Sequence, residues 1–158
     1  SNIMGAEGGG LALFNNAMEW ERGFLFACPV GAMQRQLDMC VHYAGKRHQF
    51  GQPIGKFQQV SSKIVDMRLR LENAKLLLRK VASLKQQGES ITMQSAMTKL
   101  YISEAWVQSS QDAIQIHGGY GYLTESGLER DLRDATRSRI HSGTSDIQKL
   151  IIADFIGL

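Results

Sequence analysis

Residues 57–86 read FQQVSSKIVDMRLRLENAKLLLRKVASLKQ. Within them Phe57, Val60, Ile64, Met67, Leu71, Ala74, Leu78 and Val81 recur three and four residues apart. An α-helix turns once every 3.6 residues, so this spacing gathers them into one apolar stripe. The stripe is a heptad seam, the pattern of a helix that packs along its length against others. It serves a bundle, an oligomer, or both. Gly88 follows the last apolar turn and ends the helix.

The flanking sequence is helical as well. From Leu11 to Tyr43, one face carries Leu11, Phe14, Met18, Leu25, Cys28 and Ala32, with Ala17, Trp20, Phe24 and Ala27 beside it. So broad an apolar surface predicts a central, buried helix, bent at Pro29. Residues 45–55 contain Gly51, Pro53 and Gly55 and turn the chain over. A third helix is predicted from Ile91 to Ile116, with Met93, Met97, Leu100, Trp106, Val107 and Ile114 as its apolar contribution, stopping at His117-Gly118-Gly119. Gly119–Tyr122 reads as a turn. The last region splits into a charged helix, Leu128–Arg139, and an apolar one, Thr144–Ile156, which Thr144 or Ser145 can cap. Long helices with short connections predict an all-α, antiparallel four-helix bundle over residues 11–158. No strand alternation stands out.

Composition narrows the functional classes. Hydrophobic residues are 43% of 158, charged residues 21%, and the net charge is +3, an ordinary soluble-protein balance. The basic residues are spread, which argues against nucleic acid as a partner. No apolar run is long enough to span a membrane. Cys28 and Cys40 lack CxxC spacing and read as buried free thiols, so no metal site is expected.

Two glycine-rich helix junctions remain, Gln115-Ile116-His117-Gly118-Gly119 and Gly143-Thr144-Ser145-Asp146. Glycine lets a ligand approach the backbone, and a helix N-terminus offers free N–H groups to anions. Either alone is only a helix stop or cap. In order along the chain stand Met4–Gly10, Glu21-Arg22 with Pro29-Val30-Gly31, Arg47-His48-Gln49-Phe50-Gly51-Gln52-Pro53-Ile54 with Phe57-Gln58, Gln115–Tyr120, and Arg133-Asp134-Ala135 with Gly143-Thr144-Ser145. Taken together, these blocks resemble the C-terminal helical domain of the acyl-CoA dehydrogenase family.

The resemblance implies a flavoprotein with a helical and a β domain ahead of this one. Residues 1–10 are then a linker from a missing middle domain, and the chain begins mid-protein. It implies FAD as cofactor, contacted by Arg47 at the pyrophosphate of a neighbouring subunit, by Gln58 near the adenine end, by Gln115, Ile116, His117, Gly118 and Gly119 along the adenosine, and by Thr144, Ser145 and Asp146. Asp146 replaces what is often Gln or Glu in the family. It implies an acyl-CoA or other acyl thioester as substrate, with Arg22 and Gly143 at the thioester end. It also implies an electron-transfer acceptor, assembly as a homodimer or homotetramer, and a bacterial cytoplasm or mitochondrial matrix as location.

The reaction needs a carboxylate to take the α-proton. In most of the family that glutamate directly precedes Gly-Thr-Ser; here the position is Ser142. In isovaleryl and long-chain type enzymes the glutamate lies on the first helix, just before an arginine, and the later position is small. Glu21-Arg22 with Ser142 follows that second pattern, which makes Glu21 the expected base. Independently, Glu21 interrupts the stripe Phe14, Met18, Leu25, Cys28, where a carboxylate is costly unless bonded or functional. The alternatives are a pairing of Glu21 with an arginine of another helix, and of Arg22 with Glu19. His141 beside Ser142 suggests a His/Ser pair, but no acid is placed in sequence to orient the histidine. Arg130, Arg133, Arg137 and Arg139 interleave with Glu129, Asp131 and Asp134, which reads as a solvated or inter-subunit ion-pair surface.

The function expected is α,β-desaturation of an acyl thioester by a larger flavoenzyme. The rivals are a homologue directed at an acyl carrier protein, a non-catalytic structural subunit of a mixed oligomer, and a helical interaction domain without flavin.

Overall fold

The computed structural model describes residue 2 and residues 4–158; Ser1 and Ile3, both within the expected linker, lie outside the described residues. Helix α1 (Gly10–Trp20) runs into a π-helical turn (Glu21–Leu25), and after Phe26 the chain continues as α2 (Ala27–Lys46). A hairpin of two short strands follows, β1 (His48–Gln49) and β2 (Gln52–Pro53), pairing His48 with Pro53 and Gln49 with Gln52. A 3-10 turn (Ile54–Lys56) leads into α3 (Gln58–Gln86) and then α4 (Thr92–His117). A single helical turn, α5 (Gly119–Tyr122), and a 3-10 turn (Thr124–Ser126) precede α6 (Leu128–Ser138) and α7 (Ser145–Phe155).

The expected bundle forms around α4, against which α2, α3, α6 and α7 all pack. The seam of α3 faces inward. Met67, Leu71, Ala74 and Val81 are buried, and Val60, Ile64 and Leu78 pack partly buried against the core. From α2 come Met33, Leu37 and Cys40, from α4 Ile102, Ala105 and Ala113, and from α6 Leu128. Each fully buried Leu, Ile or Met stabilises the fold by about 1.5–3 kcal/mol relative to exposure. Among the described residues, no helix is long and apolar enough to cross a membrane.

Several expectations change. The first helix is neither continuous nor central. It breaks at the π turn and Phe26, and Pro29 sits in the first turn of α2, where its missing N–H has no partner to lose. In α1 only Met18 is buried, while Leu11, Phe14 and Trp20 are exposed. The central position belongs to α4, whose interior is built from small residues: Ser95, Ala96, Thr98, Ser103, Ala105, Ser109 and Ser110. Of the apolar side chains expected to carry that helix, Met97 is exposed and Val107 buried. Small side chains let four neighbours approach one rod. Hydroxyls of Ser95, Thr98 and Ser103 donate to the carbonyls of Thr92, Gln94 and Leu100 within the same helix, so their burial leaves no orphaned donor.

The loop at 45–55 holds a hairpin too short to show alternation in sequence. Cys28 is exposed, contrary to expectation; Cys40 is buried, and burial, with Asp112 nearby, pushes its thiol up to about 12. The charged helix is not wholly solvated. Asp131 is buried and takes Arg35 of α2 on both oxygens, at 2.6 and 2.5 Å, and the Gln36 amide at 3.1 Å.

The expected turn at Gly119–Tyr122 is wound as α5 and folds back on α4. A Cβ at Gly121 would lie 2.8 Å from the Ile114 carbonyl oxygen and 2.9 Å from its Cα. Both are backbone atoms that cannot step aside. Gly121→Ala is expected to destabilise the protein by about 1–3 kcal/mol, read as a lowered denaturation midpoint with an unchanged denaturant slope.

Candidate functional site

A π turn inserts one extra residue into a helix and re-aims the side chains that follow, and such turns recur at functional sites. Here it holds Glu21 and Arg22. Gly23 lets the turn sit close to the bundle, because a Cβ there would fall 2.9 Å from Val81 Cγ1. The result brings together residues from opposite ends of the chain. Ser142 Oγ donates to Glu21 Oε1 at 2.6 Å, across 121 positions of sequence. Arg22 Nε donates to the Ser142 carbonyl at 3.1 Å.

The corner between α6 and α7 is held from the other side by Gln148, which is fully buried. Its Nε2 donates to the carbonyls of Ser142 and Gly143 at 3.2 and 2.9 Å. Gly143 has φ +88°, a conformation few L-residues adopt, and a Cβ there would meet Gln148 Nε2 at 2.7 Å. Ser142 itself has φ +59°, uncommon for a residue other than glycine. Thr144 caps α7, its side chain accepting from the Ile147 N–H at 3.3 Å.

His141 completes the cluster. Its Nδ1 lies 2.9 Å from Ser142 Oγ, and its ring stacks on Phe26 at 5.5 Å. Behind Phe26 lies Lys99 of α4, fully buried, with Nζ 5.8 Å from the Phe26 ring and no hydrogen-bond partner among the described residues. Burial pushes the Lys99 amine down to about 8; Glu104 opposes that, and Arg22 and Arg139 reinforce it. His141 is also pushed down, first by burial, then by Arg137 and Lys99, against Glu21.

Apart from Gln58, the residues expected to hold FAD fall in two grooves. Arg47 and Gln115 to Gly119 line one of about 430 Å³, with Tyr43 and Tyr120 in its walls. His117 Nδ1 is bonded to the Ala113 carbonyl at 2.9 Å and its ring stacks on Tyr43 at 4.3 Å, so it shapes the groove and is not free to bond a ligand through that nitrogen. Ile116 is buried. Gly118 and Gly119 are bare, with nothing within 4 Å of where a Cβ would stand, and Gly118 has φ +60°. An exposed guanidinium beside open backbone fits an anionic dinucleotide. Thr144, Ser145 and Asp146 line the second groove with Glu104 and Arg139. There Ser145 Oγ donates to Glu104 at 2.7 Å and Asp146 takes Lys149 at 3.3 Å, so both side chains bond within the protein. Gln58 is exposed at the start of α3 and lines neither groove.

Glu21, Arg22, Ser142 and Gly143 thus form one cluster. Among the described residues Glu21 bonds Ser142 rather than an arginine of another helix. Arg22 bonds the corner, while Glu19 pairs with Lys85 at 3.6 Å and accepts from Thr92. Sequence reasoning missed Gln148 and Lys99. It discounted His141 for want of an acid to orient it; among the described residues the imidazole bonds the Ser142 hydroxyl, and only that hydroxyl reaches a carboxylate. The cue for Lys99 was a lysine amid Ala, Met, Thr and Leu on a helix otherwise read for its apolar residues.

Comparison with known proteins identifies the domain. Residues 8–157 match the model of the acyl-CoA dehydrogenase C-terminal domain. The L-prolyl-[peptidyl-carrier protein] dehydrogenase of Serratia sp. (strain ATCC 39006) is 48% identical over 100% of this chain and 41% of its own length. The mitochondrial short-chain specific acyl-CoA dehydrogenase of Rattus norvegicus is 43% identical over 96% of this chain and 37% of its own. Among solved structures, the prolyl acyl carrier protein oxidase AnaB superposes with a TM-score of 0.98 at 57% identity, covering 99% of this chain and 42% of that one. An FAD complex of PigA gives 0.95 at 48%, covering 98% and 40%. The chain therefore spans about two fifths of the length of these relatives. They are prolyl-carrier and short-chain proteins, which lends no support to an isovaleryl or long-chain assignment. At the level of the domain the match is complete, and the chain belongs to the acyl-CoA dehydrogenase family as its C-terminal helical domain.

Proposed function

We propose that the full-length protein is an FAD-dependent oxidoreductase that desaturates a prolyl thioester held on a carrier protein, with Glu21 as its base. One observation carries the assignment of the base. Ser142 stands where most of the family keeps the glutamate, and Glu21 lies 2.6 Å from its hydroxyl. A carboxylate on the π turn thus reaches the region that a carboxylate at 142 would occupy. The choice of substrate follows the relatives named for prolyl-carrier proteins, which match nearly the whole chain at 48% and 57% identity.

The reaction takes a proton from the α-carbon and a hydride from the β-carbon, leaving a double bond between them. FAD, when bound, supplies the hydride acceptor. The chain's own residues do the rest. Glu21 takes the α-proton on a carboxylate oxygen. Arg22 and Gln148 fix the corner that carries Ser142 and Gly143. Arg47 and the open glycines line the groove that would hold the dinucleotide, Arg47 matching the family arginine that reaches a neighbouring subunit's cofactor. On that family pattern the protein assembles as a dimer or tetramer.

The test is anaerobic mixing of the full-length, FAD-loaded protein with prolyl-loaded carrier protein, prolyl-CoA and butyryl-CoA. Flavin bleaching is expected with the carrier-bound prolyl group at least about tenfold faster than with either CoA ester, a transition-state preference of about 1.4 kcal/mol. Equal rates with prolyl-CoA would overturn the carrier assignment. Faster bleaching with butyryl-CoA would return the protein to the acyl-CoA reading, and no bleaching with any of them would point to a structural subunit.

A further inference from the structure

We propose that Ser142 and His141 are positioning residues for Glu21, a chain of two hydrogen bonds that holds Oε1 and leaves Oε2 to receive the substrate's proton. This rests on the reading of Glu21 as the base.

The direction of the chain follows from counting protons. A serine hydroxyl has one, and Ser142 gives it to Glu21 Oε1 at 2.6 Å. The 2.9 Å contact between Ser142 Oγ and His141 Nδ1 must then be donated by the imidazole. That sets the tautomer: the proton is on Nδ1. Burial, Arg137 and Lys99 hold the ring toward its neutral form, against Glu21. Stacking on Phe26 at 5.5 Å limits rotation of the ring. Each link is thus oriented by the one behind it, from a packed aromatic ring to the carboxylate.

The chain does not need to reverse when the base is used. Once a proton sits on Oε2, Oε1 is the carbonyl oxygen of a neutral acid and still accepts from Ser142. The hydrogen bonds therefore align the base both before and after proton transfer.

The backbone at Ser142 supports a role for its hydroxyl. At φ +59° a glycine or asparagine would sit with less strain. Arg22 and Gln148 clamp the corner through its carbonyls, and the residue so presented carries the hydroxyl that reaches Glu21.

The experiment uses the full-length, FAD-loaded protein and four variants. Ser142→Ala and His141→Phe should slow flavin reduction by the prolyl thioester about 10- to 100-fold, the effect of a misaligned reacting group, with thioester affinity unchanged. The α-deuterium isotope effect should rise in both, because proton transfer becomes the slower step. His141→Asn, whose amide N–H stands near the position of Nδ1–H, should recover most of what His141→Phe loses. Nitrogen NMR of the histidines should show His141 protonated on Nδ1 in the unmodified protein and altered in Ser142→Ala. Unmodified rates and isotope effects in both Ser142→Ala and His141→Phe would overturn the proposal, as would His141→Asn performing no better than His141→Phe. Full activity in Glu21→Gln would instead overturn the reading beneath it.

Discussion

Replacing Glu21 by glutamine is expected to slow flavin reduction by about 10³- to 10⁴-fold while leaving FAD bound. Removing a positioned general base costs about 10²- to 10⁴-fold. The upper part of that range applies because, among the described residues, no second carboxylate bonds within the cluster. Glutamine has the same shape, and its amide oxygen can still accept from Ser142, so the contact that ties the π turn to the α6–α7 corner survives. The clamps of Arg22 and Gln148 on the Ser142 carbonyl do not involve the carboxylate. What glutamine lacks is a site of adequate basicity. At about 1.4 kcal/mol per factor of ten, the loss amounts to about 4–5 kcal/mol of transition-state stabilisation. Stopped-flow absorbance of the flavin measures the rate, and the absorbance spectrum of the purified variant confirms that FAD remains. A loss of flavin along with activity would mean that Glu21 holds the structure rather than takes a proton.

Lys99→Met is expected to stabilise the protein at neutral pH by about 3 kcal/mol. Lys99 is fully buried, and its ammonium has an aromatic ring 5.8 Å away and no hydrogen-bond partner among the described residues. Burial pulls its pKa from the ordinary 10.5 to about 8. Each tenfold change in proton affinity is worth about 1.4 kcal/mol, so holding the charged amine in the folded protein costs about 3 kcal/mol. Because the folded form releases its proton near pH 8 and the unfolded form near 10.5, the unfolded chain binds more protons between those values. The contribution of Lys99 to stability therefore rises with pH across that window, against the opposing contribution of the Cys40 thiol above about pH 9, and below pH 8 the cost of the buried ammonium is present in full. Methionine fills about the same volume without a charge, so the variant should have the higher midpoint, and its advantage over the unmodified protein should shrink between about pH 8 and 10 as Lys99 discharges, the Cys40 thiol titrating alike in both proteins. Denaturant unfolding at neutral pH and near the top of that window checks both. A lower midpoint at neutral pH would show that the ammonium has a stabilising partner.

How much of this was legible in the sequence depends on the range of the interaction. The α3 seam is a local, periodic property, and Met67, Leu71, Ala74 and Val81 are buried as their spacing requires. The cap at Thr144 and the stop at Gly118 are equally local. The order of importance among helices was not legible. The first segment is the most apolar, yet Leu11, Phe14 and Trp20 are exposed, while α4 holds the centre with serines and alanines. Apolar content measures what a helix can bury, and close approach of several neighbours is set by small side chains instead. The hairpin strands are two residues each, too short for alternation to register.

The site divides in the same way. Glu21, Arg22 and Gly143 were legible as motif residues, and Arg47 and Gln115 to Gly119 do line a common groove. The contact between Glu21 and Ser142 spans 121 positions and depends on a π turn that no composition signal marks. For the same reason the histidine beside Ser142 looked unsupported: its link to a carboxylate runs through the Ser142 hydroxyl to the other end of the chain. Gln148 read as an ordinary helix residue, and only the fold shows it buried against the carbonyls of the corner.

The most direct measurement follows the proton itself. A prolyl carrier thioester deuterated at its α-carbon is mixed anaerobically with the full-length, FAD-loaded protein and with its Glu21→Gln variant, and label in the solvent is followed alongside flavin colour. The account predicts that the unmodified protein releases deuterium as the flavin bleaches, and that the variant retains both its label and its colour. Release of deuterium by Glu21→Gln at the unmodified rate would contradict it.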